Sequence, residues 1–114
     1  MGVSQNPASA SIGANSITLE EGNVGYFYEY TVATSGSLTV DVSDTEGSWQ
    51  YSVTNETQGL YGETHWSDDE TVVSAETINV NEGDVITIWV APYDPEVPWA
   101  NPAGTVKFKL TWME

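Results

Sequence analysis

Apolar residues recur at every second position through most of the chain beyond residue 14. Across 24–34, Val24, Tyr26, Tyr28, Tyr30 and Val32 share one phase. Leu38, Val40 and Val42 do the same within 37–43. Across 48–54, Trp49, Tyr51 and Val53 oppose Gln50, Ser52 and Thr54. Across 84–91, Ile86, Ile88 and Val90 oppose Val85, Thr87 and Trp89. Across 104–112, Val106, Phe108, Leu110 and Trp112 oppose Lys107, Lys109 and Thr111. Further stretches at 15–19 and 72–80 complete the set. A period of two belongs to strands, whose successive side chains point to opposite faces. No segment keeps the 3.6 period of a helix for three turns.

Turn residues separate the stretches, most clearly Thr34-Ser35-Gly36 and Asn81-Glu82-Gly83-Asp84. The pattern predicts an all-β fold: an antiparallel β-sandwich, jelly-roll-like, of seven or eight strands. The polar phase of each strand is expected to face water. The file Tyr26, Tyr28, Tyr30 runs on into Val24 and Val32 and is expected to face the core. Residues 1–14 are small and polar and read as a linker or flexible lead-in, leaving 15–114 as a single β-sandwich domain. Two longer connections, 55–71 and 92–103, are where binding residues are expected on such a scaffold.

Charge narrows the partners. Seventeen Asp and Glu stand against two Lys and no Arg, a formal net charge of -15. Such a surface repels phosphate, so neither nucleic acid nor anionic membrane is an expected partner. No apolar run is long enough to span a bilayer as a helix. No basic or apolar leader opens the chain, so it is expected to be a piece of a longer exported protein. There is no Cys, which excludes disulfides and thiolate metal sites. With one His and no Arg or Cys, few catalytic constellations can be assembled, and no nucleophile-elbow, phosphate-loop or zinc-protease motif is present. The chain is expected not to be an enzyme. Asn55-Glu56-Thr57 fits a glycosylation acceptor pattern, read here as a chance match.

The candidate chemistry lies in aromatic residues. Five Trp accompany only two Phe. Trp49, Tyr61, Trp66, Tyr93 and Trp99 are the candidate ligand-binding residues, four of them in the long connections. Flat rings pack on the C–H faces of sugars and lose little side-chain entropy in doing so. Asn55, Gln58, Glu63, Asp68 and Asp94 stand near them in sequence as partners for sugar hydroxyls. The bland alternative is that these rings plug the ends of the sandwich. Lys107 and Lys109 share one strand face and are expected to pair with Glu29 across strands. No cofactor is implied with certainty. Ca²⁺ stays open at Asp41, Asp44 and Glu46 or at Asp68, Asp69 and Glu70, neither of which forms an EF-hand loop.

The succession VGYFYEYTV (24–32), GSLTVDVS (36–43), WQYSV (49–53), INVNEGDVITIWV (78–90) and GTVKFKLTW (104–112) resembles the bacterial prepeptidase C-terminal-like domains and related small jelly-roll, carbohydrate-binding-module-like domains. The resemblance spans roughly residues 15–113. It implies an accessory domain of a secreted modular protein, beside covalently linked neighbours, and some such domains bind polysaccharide. Relatives often bind Ca²⁺ at Asp-rich strand ends, where this chain instead reads Trp49-Gln50-Tyr51. The expected function is therefore non-catalytic polysaccharide binding by a monomeric, extracellular or cell-surface module. A structural spacer and a protein-binding adhesion module are the alternatives. Glycan binding requires at least two of Trp49, Trp66, Tyr93 and Trp99 to be exposed and coplanar enough to line one surface. A spacer would bury every Trp; a protein-binding module would show a broad apolar patch or an open sheet edge.

Overall fold

A computed structural model describes residues 2–114. Its strands are β1 (Ala8–Ser9), β2 (Gly13–Leu19), β3 (Tyr26–Thr31), β4 (Gly36–Asp41), β5 (Trp49–Asn55), β6 (Leu60–Tyr61), β7 (His65–Trp66), β8 (Ala75–Val80), β9 (Val85–Pro92) and β10 (Gly104–Met113). The seven strands of six or more residues are the seven that the alternation marks out; the other three have two residues each.

They form two sheets. One runs β1-β3-β9-β5-β6, with β7 also paired to β5; the other runs β2-β10-β4-β8. From β2 to β5 the chain changes sheet at every connection, and it does so again from β7 to β10. That interleaving makes the sandwich a jelly roll. Register fixes which residues point inward, because a slip of one residue would turn each strand's apolar set to water. Tyr26, Tyr28 and Tyr30 lie opposite Val90, Ile88 and Ile86, and so face the core as their phase predicts. Leu38, Val40 and Val42 meet them from the other sheet with Val106, Phe108 and Leu110. Burying each of these aliphatic and aromatic side chains stabilises the fold by roughly 1.5–3 kcal/mol before entropy is set against it. Tyr28 and Phe108 meet edge to face across the sheets, with centroids 4.9 Å apart.

Polar links fasten the margins. Tyr51 donates its hydroxyl to Val73 O at 2.7 Å. His65 Nε2 donates to Glu76 Oε1 at 3.0 Å, joining β7 of one sheet to β8 of the other. Asp84, buried in the turn before β9, accepts Asn55 Nδ2, Asn81 N and Gln58 Nε2 on one oxygen, at 2.8, 2.9 and 2.7 Å. These bonds, led by that from Asn55, hold its carboxyl below the usual carboxylate range.

Three expectations are revised. Part of the lead-in belongs to the sandwich: β1 pairs parallel with β3, Ala8 and Ala10 are buried, and Phe27 N donates to Gly2 O. Small side chains there let the backbone lie close against β3; Met1 lies outside the described residues. Val24 does not continue the tyrosine file; it sits before β3 and is 69% exposed. Glu29 lies on the outer face of the six-stranded sheet, while Lys107 and Lys109 lie on the outer face of the four-stranded one. The pairing of these lysines with Glu29 is thus ruled out by topology, and Lys109 lies in register with Asp41 instead.

Candidate ligand-binding site

The inward phase of β5 takes Trp49 out of consideration. It is 5% exposed and packs in the core beside Tyr51, with ring centroids 5.5 Å apart. The outward phase of the same strand builds a site. Gln50 lies in register with Trp66 on β7 and with Ala91 on β9. Its side-chain amide donates to Pro92 O at 3.2 Å and accepts Trp66 Nε1–H at 3.0 Å. One glutamine thereby pins the indole of Trp66 to the strand end that leads into Tyr93. Tyr93 N in turn donates to Ser48 O at 3.1 Å.

The rings of Trp66 and Tyr93 are neighbours, with centroids 6.4 Å apart and planes inclined at 47°. Both side chains are half-buried. They form two facets of one bent surface. Carboxylates surround it: burial raises the Tyr93 phenol above its usual range, and the negative charges of Asp68, Asp69 and Asp94 raise it further. Apolar facets rimmed by hydrogen-bond acceptors suit a polyol.

The other two candidates lie apart from this pair. Trp99 is 81% exposed on the 93–103 connection, beside a shallow hollow of about 400 Å³ lined by Glu21, Asp94, Asn101 and Pro102. A turn at Asp94 and another at Val97 shape that connection. Tyr61 is 78% exposed and pairs with Thr54, four residues along β5 from the Gln50–Trp66 pair. Two of the expected polar partners are engaged elsewhere, since Asn55 and Gln58 both serve Asp84. Asp68 and Asp94 remain at the site.

Sequence reasoning passed over Gln50, Phe27 and Trp89. The last two lie in register with each other on the outer face of the six-stranded sheet. The signal was present in the alternation: both rings fall out of phase with the core residues of their strands. Among the described residues no three His, Cys, Asp or Glu side chains come together as a metal site, so neither acidic cluster converges.

No protein-family model matches the chain, and no curated protein matches it. Among solved structures it is similar to the pre-peptidase C-terminal domain of collagenase from Bacillus anthracis. The TM-score is 0.60 with 15% sequence identity, over 93% of this chain and 95% of that one. At this identity the likeness is one of fold: the chain folds as a pre-peptidase C-terminal-like β-sandwich.

Proposed function

We propose that this domain is a non-catalytic accessory module that binds a polysaccharide, within a larger secreted or surface-attached bacterial protein. The observation that carries the reading is the surface pair of Trp66 and Tyr93, held by Gln50 and rimmed by Asp68 and Asp94. The rings supply stacking area and the carboxylates accept bonds from sugar hydroxyls. A spacer has no use for a tryptophan that is 81% exposed, and Trp99 is one. The shallow site favours weak binding, in the micromolar to millimolar range. The similar domain is part of a collagenase, which supports a role beside another functional domain.

Affinity electrophoresis against a panel of soluble neutral polysaccharides tests the reading. Retardation by one glycan class is expected. Trp66→Ala and Tyr93→Ala should each weaken it by about tenfold, the size of one stacking contact of roughly 1.4 kcal/mol. Thermal melts of both variants establish that they fold. No retardation by any glycan would overturn the proposal and leave a spacer or protein-binding module.

A further inference from the structure

The two outer faces of the sandwich are built differently. On the four-stranded sheet the paired outward threonines satisfy each other: Thr18 bonds Thr105 and Thr39 bonds Thr77, each at 2.8 Å, and Ser37 reaches Asn79, while Ser16 and Thr111 have no side-chain partner among the described residues. Both lysines stand on that face, and no aromatic ring does. On the six-stranded sheet Thr54 and Thr87 are also register partners, yet neither hydroxyl has a protein partner among the described residues. The Ser52 hydroxyl beside them has none either. Around these open hydroxyls stand Trp66, Trp89, Phe27 and Tyr61.

The two indoles of this face share one feature. Trp66 Nε1–H is given to Gln50 and Trp89 Nε1–H to Val24 O, at 3.0 and 3.2 Å. Trp89 lies against Gly25, where a Cβ would collide with the indole nitrogen, and Gly25 holds a φ of 120° that other residues rarely adopt. With both N–H groups already used, the rings offer a ligand their faces. Beyond Trp89 the face continues into an open groove of about 480 Å³ over Phe27, Val85 and Thr87. Ser4 and Pro7 wall it on one side, Glu56 and Thr57 on the other.

We propose that the ligand is an extended, uncharged, linear polysaccharide lying along this face, from Trp66 and Tyr93 over Trp89 and Phe27 into the groove beyond. This rests on the polysaccharide reading above and deepens it. The six steps along β5 and its extension from Gln50 to Glu56 span about 20 Å at 3.4 Å per residue, room for several sugar rings. Rings provide stacking planes along the track, and the unpaired hydroxyls of Ser52, Thr54 and Thr87 stand between them. The charged side chains lining the groove are Glu29 and Glu56, so an anionic glycan is repelled. Charge lies at the groove's margin and hydroxyls and rings at the centre of the face, which fits a neutral chain better than a polyamine.

Calorimetry with neutral glucan, mannan and xylan oligosaccharides, from disaccharide to octasaccharide, tests this. For the series that binds, affinity should rise about tenfold or more with length, since each added stacking contact is worth up to about 1.4 kcal/mol. Trp89→Ala and the double variant Thr54→Val/Thr87→Val should weaken the long oligosaccharides about tenfold and leave the disaccharide unchanged. Trp66→Ala should weaken both. The double variant changes partly exposed hydroxyls to methyls, so it tests the track even if Trp89→Ala unfolds. Thr39→Val, on the opposite face, should change nothing. Affinity that stops rising at the disaccharide, with Trp89→Ala equal to wild type, overturns the track while sparing the Trp66–Tyr93 site. Binding only to charged glycans, abolished by salt, also overturns it. If no oligosaccharide binds, both readings fall.

Discussion

Replacing Tyr51 by phenylalanine removes one oxygen from a fully buried ring and breaks one hydrogen bond, to Val73 O at 2.7 Å. That bond ties β5 to the chain returning from the loop that carries Trp66 and Asp68. A hydrogen bond contributes about 0.5–1.5 kcal/mol net, and an acceptor left bare costs up to about 3 kcal/mol. Val73 is half-buried, so water can replace part of what its carbonyl loses. The expected loss is therefore about 1–2 kcal/mol at pH 7, or about 4–8 °C in melting temperature for a domain of this size. Tyr30→Phe is the control: its hydroxyl has no protein partner among the described residues, so its effect should stay within about 0.5 kcal/mol. Alkaline pH supplies a second reading. Burial, then the charges of Glu76 and Asp41, raise the Tyr51 phenol well above its ordinary value of 10.0. The folded protein thus holds this proton where the unfolded chain releases it. The stability this gives is complete below pH of about 10 and is lost as pH rises towards the folded value. The wild type should lose it and Tyr51→Phe should not, so the gap between them narrows above pH of about 10. Urea denaturation at pH 7 and along an alkaline series measures both effects. Equal stability at pH 7, or a gap that widens with pH, would refute the reasoning.

Two further outcomes follow from the same geometry. Trp49→Ala should destabilise the domain by about 3–5 kcal/mol in chemical denaturation, because it empties a core position. Under conditions where the variant remains folded, its affinity for any bound glycan should match wild type. Asp84 has a depressed folded pKa, so its contribution is full above the unfolded value of about 4 and fades as pH falls through the lower folded one. Asp84→Asn should accordingly be less stable at pH 7, with its deficit shrinking in acid melts; a deficit that grows in acid would refute the assignment.

Alternation along the chain determined the seven long strands, and it determined that Tyr28, Leu38, Ile88 and Phe108 are interior. Period two needs nothing beyond the residues themselves, since the pleat alone sends neighbours to opposite faces. The same alternation put Trp49 in phase with Tyr51 and Val53 and put Trp89 and Phe27 in the opposite phase, yet Trp49 is among the residues expected to bind ligand, and only its burial in the fold removes it. Tertiary structure alone decided which strands became neighbours. Glu29 and Lys109 look alike as outward charges on strands, yet the interleaved connections carry them to opposite sheets. The Trp66–Tyr93 pair joins residues 27 positions apart through a two-residue strand too short to leave a periodic signal. Asn55 and Gln58 looked free for a ligand until folding delivered Asp84 between them. Even the lead-in was decided this way, for its alanines carry no strand pattern and are held only because β3 lies open beside them. Periodicity is a property of a segment, whereas a site is a meeting of segments, and the order of the sheets settles which of them meet.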